Sequence, residues 1–300
     1  MSLAWVDCPT GLAGNMLLAA LLDLGLPAAS IEVPLAELGL AQCYRLVVEE
    51  QRRGGFRGVH LEVNGLEQDP PHRHWHELRQ RFERANWPET LRLKVLEVFE
   101  LLAEAEAAVH GTSSERVHFH EVGAIDAIVD IVGVCAGLLH FGVERLICTP
   151  PPAGHGRVNT AHGLLPVPAP AVLEIARRRA VPFSSSEGFP PGELTTPTGL
   201  ALMACWSERF GPSPALLARL TGVGLGSRVL DRPNLLRLTL ADPVPEAGPA
   251  WLERREGGQE GEEEEALLVQ QAQIDDASGE DRSEEHTSEL QSPCNLVCRL

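Results

Sequence analysis

No uninterrupted apolar run in this 300-residue chain is long enough to span a bilayer. The longest stretch, Ile125 to Phe141, is broken by Asp126, Asp130 and glycines. The opening segment, Met1 to Asp7, lacks the basic region and apolar core of a secretory signal, so a cytoplasmic location is the default expectation. Positive charge is scarce: 25 Lys and Arg face 42 Asp and Glu, for a net −17. That balance argues against nucleic acid or an anionic membrane surface as a partner. Part of the excess is local, between Glu253 and Glu265. The seven cysteines include no CxxC pair and no zinc-type spacing, so they read as reduced, mostly buried thiols.

The 44% hydrophobic content is enough for a large soluble core. Leu3 to Val6 reads as a strand, and Gly14 to Gly25 as a buried helix closed by glycine with Pro27 beyond it. Alternation on either side of Arg53, Gly54 and Gly55 predicts a hairpin over Tyr44–Glu49 and Val59–Val63. Helical periodicity follows over Trp75–Ala85, Glu89–Val109 and Ala124–His140. Pro150 to Pro170 reads as a loop, then come helices over Ala171–Arg178 and Leu200–Arg209 and a strand pair within Leu220–Leu240. Gly222, Gly224 and Gly226 read as a tight turn, not as a dinucleotide fingerprint. Helices mixed with hairpins predict an α+β fold, helices packed on small mixed or antiparallel sheets, with the start of a second α+β domain.

Four segments follow from this reading: a domain over 1–241, an acidic Pro/Gly linker over 242–265, the first strand of a second domain over 266–281, and a tail over 282–300. The tail has neither apolar periodicity nor capping logic. It resembles the conceptual translation of a sequencing adapter, and it is expected to be non-native, following a coding sequence cut short near Asp281.

The densest chemistry lies between His118 and Gly133. His118 and His120 share a face if that segment is extended. On the helix that follows, Asp126 and Asp130 lie one turn apart, with Gly133 and Gly137 continuing the stripe. Two carboxylates on a buried helix call for a cation, an arginine or a polar ligand; Arg116, Arg145 and Arg157 are the available arginines. Imidazole with carboxylate suits zinc, copper, iron or nickel. His74 lies in a second histidine cluster after Pro70 and Pro71, and His155 and His162 lie among glycines in a third. Thr196 and Pro197 fit the N-cap and first position of a helix, a start that can also hold phosphate, with Thr198 beside it.

These segments, in order, resemble the LarC-type nickel-insertion family: Asp7 to Gly11 through Gly14–Met16, His72–His74, His118–Gly133, Gly154–Gly156, His162–Gly163, Leu165–Pro170, Thr195–Gly199 and Pro233–Arg237. The resemblance covers Leu3 to Glu280. It implies a nickel chelatase, a lyase that inserts nickel into pyridinium-3,5-bisthiocarboxylic acid mononucleotide and so forms the metal–carbon and metal–sulfur bonds of the lactate racemase cofactor. It also implies dependence on CTP with magnesium or manganese, the nucleotide binding mainly in the second domain. A homo-oligomer and the cofactor-accepting racemase are implied as partners.

Together the two readings put the metal on His118, His120, Asp126, Asp130, His74, His155 and His162. Asp7, Glu121, Thr196 and Thr198 are the substrate-binding candidates. Two departures from the family pattern stand out: Asn15 occupies a usual Asp position, and the second domain is reduced to the neighbourhood of Gln273 to Asp276. A non-catalytic nickel-delivery protein and a metal-dependent phosphohydrolase are the rival readings.

Overall fold

The computed structural model describes residues 2–67, 73–119, 124–160 and 163–244. The chain divides into two compact units, Met1–Gly248 and Pro249–Leu300, and the described residues belong to the first.

A short strand, β1 (Ser2–Asp7), leads into helices α1 (Gly14–Asp23) and α2 (Ala29–Glu37), then the hairpin β2 (Tyr44–Arg53) and β3 (Phe56–Gly65). Gly54 and Gly55 both take positive φ, the backbone that a two-residue turn between twisted strands requires. Next come β4 (Arg73–His74), α3 (Trp75–Arg84), α4 (Glu89–His110), β5 (His118–Phe119) and α5 (Ile125–His140). After β6 (Val143–Cys148) the chain forms β7 (Gly154–Thr160), β8 (Gly163–Val167), α6 (Pro170–Arg179) and β9 (Gly192–Glu193). The series ends with α7 (Pro197–Trp206), β10 (Arg209–Phe210), β11 (Leu216–Leu225) and β12 (Leu235–Pro243). Among the described residues no helix is long and apolar enough to cross a membrane.

The fold is α+β. Seven strands form one mixed sheet in the order β10-β6-β1-β12-β11-β3-β2. Within it β1 runs parallel to β6 and antiparallel to β12. Two small sheets, β4-β5 and β8-β7-β9, lie apart from it. Met16 to Leu21 of α1 are at most 4% exposed, so this helix is core on every side. It lies directly on β11: a Cβ on Gly222 would overlap the carbonyl oxygen of Ala20, and one on Gly224 that of Met16. These glycines therefore sit within a strand, where they let a helix backbone approach, and do not form the tight turn expected from sequence.

The glycine stripe of α5 packs on the same helix. A Cβ on Gly133 would come 2.9 Å from Leu18, and one on Gly137 2.8 Å from Leu21. On the other flank, Trp75, Phe82, Phe99 and Phe119 form one aromatic cluster, with ring centroids 4.9 Å apart for Phe82–Phe99 and 6.2 Å for Trp75–Phe99. Phe119 meets Phe99 at 6.2 Å, so this cluster seats β5, and with it the ladder in which His74 stands opposite His118. One element departs from the sequence expectation: the 150–170 loop contains the β7–β8 hairpin. Helix α2 forms despite Pro34, anchored by fully buried Ile31 and Leu35.

Candidate functional site

The site begins with a pairing of two segments far apart in sequence. Leu12 N–H donates to the Leu194 carbonyl (2.9 Å) and Thr196 N–H to the Leu12 carbonyl (2.9 Å), which sets the starts of α1 and α7 side by side. Thr196 is the N-cap of α7, its hydroxyl accepting from Gly199 N–H at 3.2 Å, with Pro197 in the first turn. The first turn of α6, opening on Pro170, and that of α5, with Asp126, close the other sides.

These four helix starts surround a cavity of about 470 Å³. Backbone N–H groups at helix starts favour negative charge. Yet among the described residues the ionisable side chains lining this cavity are Glu106, His110, Asp126, Asp130 and Glu193, with no lysine or arginine. A dication would offset the carboxylates, and an anionic ligand would suit the helix starts.

Asp130 is the centre of this arrangement. It is 8% exposed, its Oδ1 has no hydrogen-bond partner, and it lies against the first residue of α1, where a Cβ on Gly14 would come 2.6 Å from Oδ2. Burial, and then the nearby Asp126 charge, push its carboxyl well above the usual range. The two aspartates therefore differ: Asp130 is buried whereas Asp126 is exposed, so the expected buried pair is one buried group and one at the surface. Arg145 pairs with Glu208 instead, at 2.8 Å.

Asp126, Asp130, Thr196 and Thr198 thus converge on one cavity. Asp7 pairs with Arg237 across β1 and β12, and His155 on β7 bonds the Phe189 carbonyl at 2.8 Å; neither lines the cavity. His74 has its ring centroid 5.3 Å from that of His76. The side chain of His118, and His120, Glu121 and His162 altogether, lie outside the described residues. Among the described residues no three His, Cys, Asp or Glu side chains cluster as a metal set.

Asn15 donates its amide to the Leu61 carbonyl at 3.4 Å, a bond that a carboxylate could not make. Sequence reasoning missed Glu106 and His110, 3.4 Å apart on the last turns of α4. Their i,i+4 spacing at the polar end of a largely apolar helix was the available signal. Asn159 and Leu165 were missed along with the β7–β8 hairpin that carries them.

Comparison with known proteins identifies the family. The family model described as "Nickel insertion protein" matches residues 4–289. A pyridinium-3,5-bisthiocarboxylic acid mononucleotide nickel insertion protein of Desulfitobacterium hafniense is 41% identical over 280 residues, covering 93% of this chain and 66% of the relative. A candidate nickel insertion protein of Synechococcus elongatus is 43% identical over 281 residues, covering 92% of this chain and 66% of its own length. One from Geotalea daltonii is 44% identical over 244 residues, covering 81% and 61%. The chain therefore spans just under two thirds of the length of these curated relatives. No solved structure matches. On the family match and these identities, the chain belongs to the nickel insertion protein family.

Proposed function

We propose that the Met1–Gly248 unit binds nickel and its organic acceptor for insertion of the metal into pyridinium-3,5-bisthiocarboxylic acid mononucleotide. The observation that carries this reading is the buried Asp130 carboxyl, whose Oδ1 has no partner among the described residues, at a cavity ringed by helix starts. Nickel is the cargo. Asp130 and Asp126 supply oxygen donors, and His118 and His120, which immediately precede α5 in the chain, supply imidazoles. His74, His155 and His162 complete the candidate donors, with Asp7 and Glu121 as candidate substrate contacts. The helix starts, with the Thr196 and Thr198 hydroxyls, receive the mononucleotide's phosphate.

The relatives' printed names support the acceptor. The fuller activity, a cytoplasmic nickel chelatase that uses CTP with magnesium or manganese and hands its product to a lactate racemase, rests on the family resemblance. A homo-oligomer belongs to the same reading. Burial makes the Asp130 carboxyl hold its proton more tightly than a free one, so nickel uptake there should strengthen as pH rises.

Elemental analysis of purified protein tests the site. Wild type should retain nickel, and Asp130→Ala and His120→Ala should each lose most of it. Retention unchanged in both variants would remove this cavity from metal binding. Nickel bound without product formation on the mononucleotide would turn the reading to a delivery protein.

A further inference from the structure

A second cavity, of about 340 Å³, lies between the tip of the β2–β3 hairpin and the segment Arg228–Asn234. It shares no lining residue with the first cavity. Arg52, Arg53, Arg228 and Arg232 line it, against a single acid, Asp231. Four arginines around one small cavity run against the balance of a chain with 42 acids and 25 bases.

Two of the four are committed to the fold. Arg228 donates to the carbonyls of Pro190 (3.1 Å), Pro191 (2.6 Å) and Glu193 (3.1 Å). Arg232 grips Asp231 through two nitrogens, donates to the Gly188 carbonyl at 2.8 Å and stacks over Phe189 at 4.5 Å. Asp231 is thereby neutralised. Arg52 and Arg53 have no acidic partner among the described residues, and the Nε of Arg53 is shut off from solvent with no acceptor. The hairpin tip is held in place by Gly54, where a Cβ would come 2.8 Å from Pro233.

A buried guanidinium N–H without an acceptor is costly, and an anion with several oxygens removes that cost. Guanidinium groups match phosphate through paired hydrogen bonds, more selectively than an ammonium does. We infer that Arg52 and Arg53, braced by Arg228 and Arg232, form a phosphate-binding site at the hairpin tip, separate from the Asp130 cavity. Arg52 is exposed and Arg53 half-buried beside the neutralised Arg232–Asp231 pair, so a phosphoryl group enters without displacing an existing ion pair. The cavity extends beyond one phosphate, which leaves room for a group esterified to it.

Titration calorimetry on the full chain, with inorganic phosphate and with adenosine 5′-monophosphate as probes, tests this. Wild type should bind phosphate saturably, and Arg53→Gln should weaken it by about tenfold or more. Arg45→Gln, at the far end of the same strand, removes an equal charge and should leave binding unchanged. Arg53→Lys, which keeps the charge and loses the planar fork, should fall between the two and guards against a folding artefact. Tighter binding of the monophosphate would identify the ligand as a phosphate ester, and equal binding as free phosphate; both uphold the site. Absence of saturable binding in the wild type, or wild-type binding by Arg53→Gln, would overturn it. Arg53→Gln should leave nickel retention unchanged, because the two cavities share no lining residue, so this site and the nickel site stand or fall separately.

Discussion

Gly14 and Asp130 share a space that only one side chain can fill: a Cβ on the glycine would lie 2.6 Å from the carboxylate oxygen and 2.8 Å from its Cβ. The start of α1 is thus shaped around a single buried acid from α5, and no bulkier residue fits there without moving one of the two helices. Gly14→Ala should destabilise the protein by about 1–3 kcal/mol through overpacking. It should also reduce nickel retention, since Asp130 must turn away. Calorimetric melting together with metal analysis checks both; an unchanged melting temperature would mean that α1 yields freely.

The raised carboxyl of Asp130 sets the sign of a pH effect. The folded state holds this proton more tightly than the unfolded chain does, so its cost to stability is absent below the ordinary carboxylate range and grows as pH rises through the elevated value. In metal-free protein, Asp130→Asn should therefore raise the melting temperature at about pH 8 and lose that advantage towards about pH 4. A difference that does not vary with pH would show that Asp130 already has a partner when folded.

Gly224→Ala should be among the more damaging single-atom additions, because the new methyl meets a main-chain oxygen of α1 and not a flexible side chain. A loss of about 1–3 kcal/mol corresponds to about 2–4 °C in melting temperature per kcal/mol for a unit of this size. Equal stability to wild type would contradict the packing of α1 on β11.

Thr196 and Thr198 should separate by readout. Thr196→Ala removes an N-cap and should cost about 1 kcal/mol of stability. Thr198→Ala touches no cap and should change stability by less than about 0.5 kcal/mol while weakening mononucleotide binding. Binding by Thr198→Ala equal to wild type would leave this hydroxyl a bystander.

How much of this could be read from the sequence varied with the kind of signal. Helices that are apolar over most of their length, such as α1 and α5, were legible within a residue or two because a long run of buried positions bounded by glycine or polar residues is local in the sequence. The cap at Thr196 was legible because its chemistry is local. The β7–β8 hairpin was hidden, since its glycines and proline imitate a loop and neither strand, one mostly polar and the other mostly apolar, alternates. The inequality of Asp126 and Asp130 was hidden as well. Two acids one turn apart look alike in sequence, and only the neighbouring helix decides which is covered. Glu106 and His110 were lost for the same reason: a helix end announces its polarity but not which cavity it faces.

The central position of β1 bears on how the protein is made. It pairs with β6 on one side and with β12 on the other, Leu3 opposite Ala241. β1 is translated more than two hundred residues before its second neighbour, and so waits for it until Leu235–Pro243 has left the ribosome. Pairings of such long sequence separation form slowly. Until then the β11-facing side of α1 and a strand edge stay uncovered on the nascent chain, which makes this interval the one in which a holding chaperone would matter most.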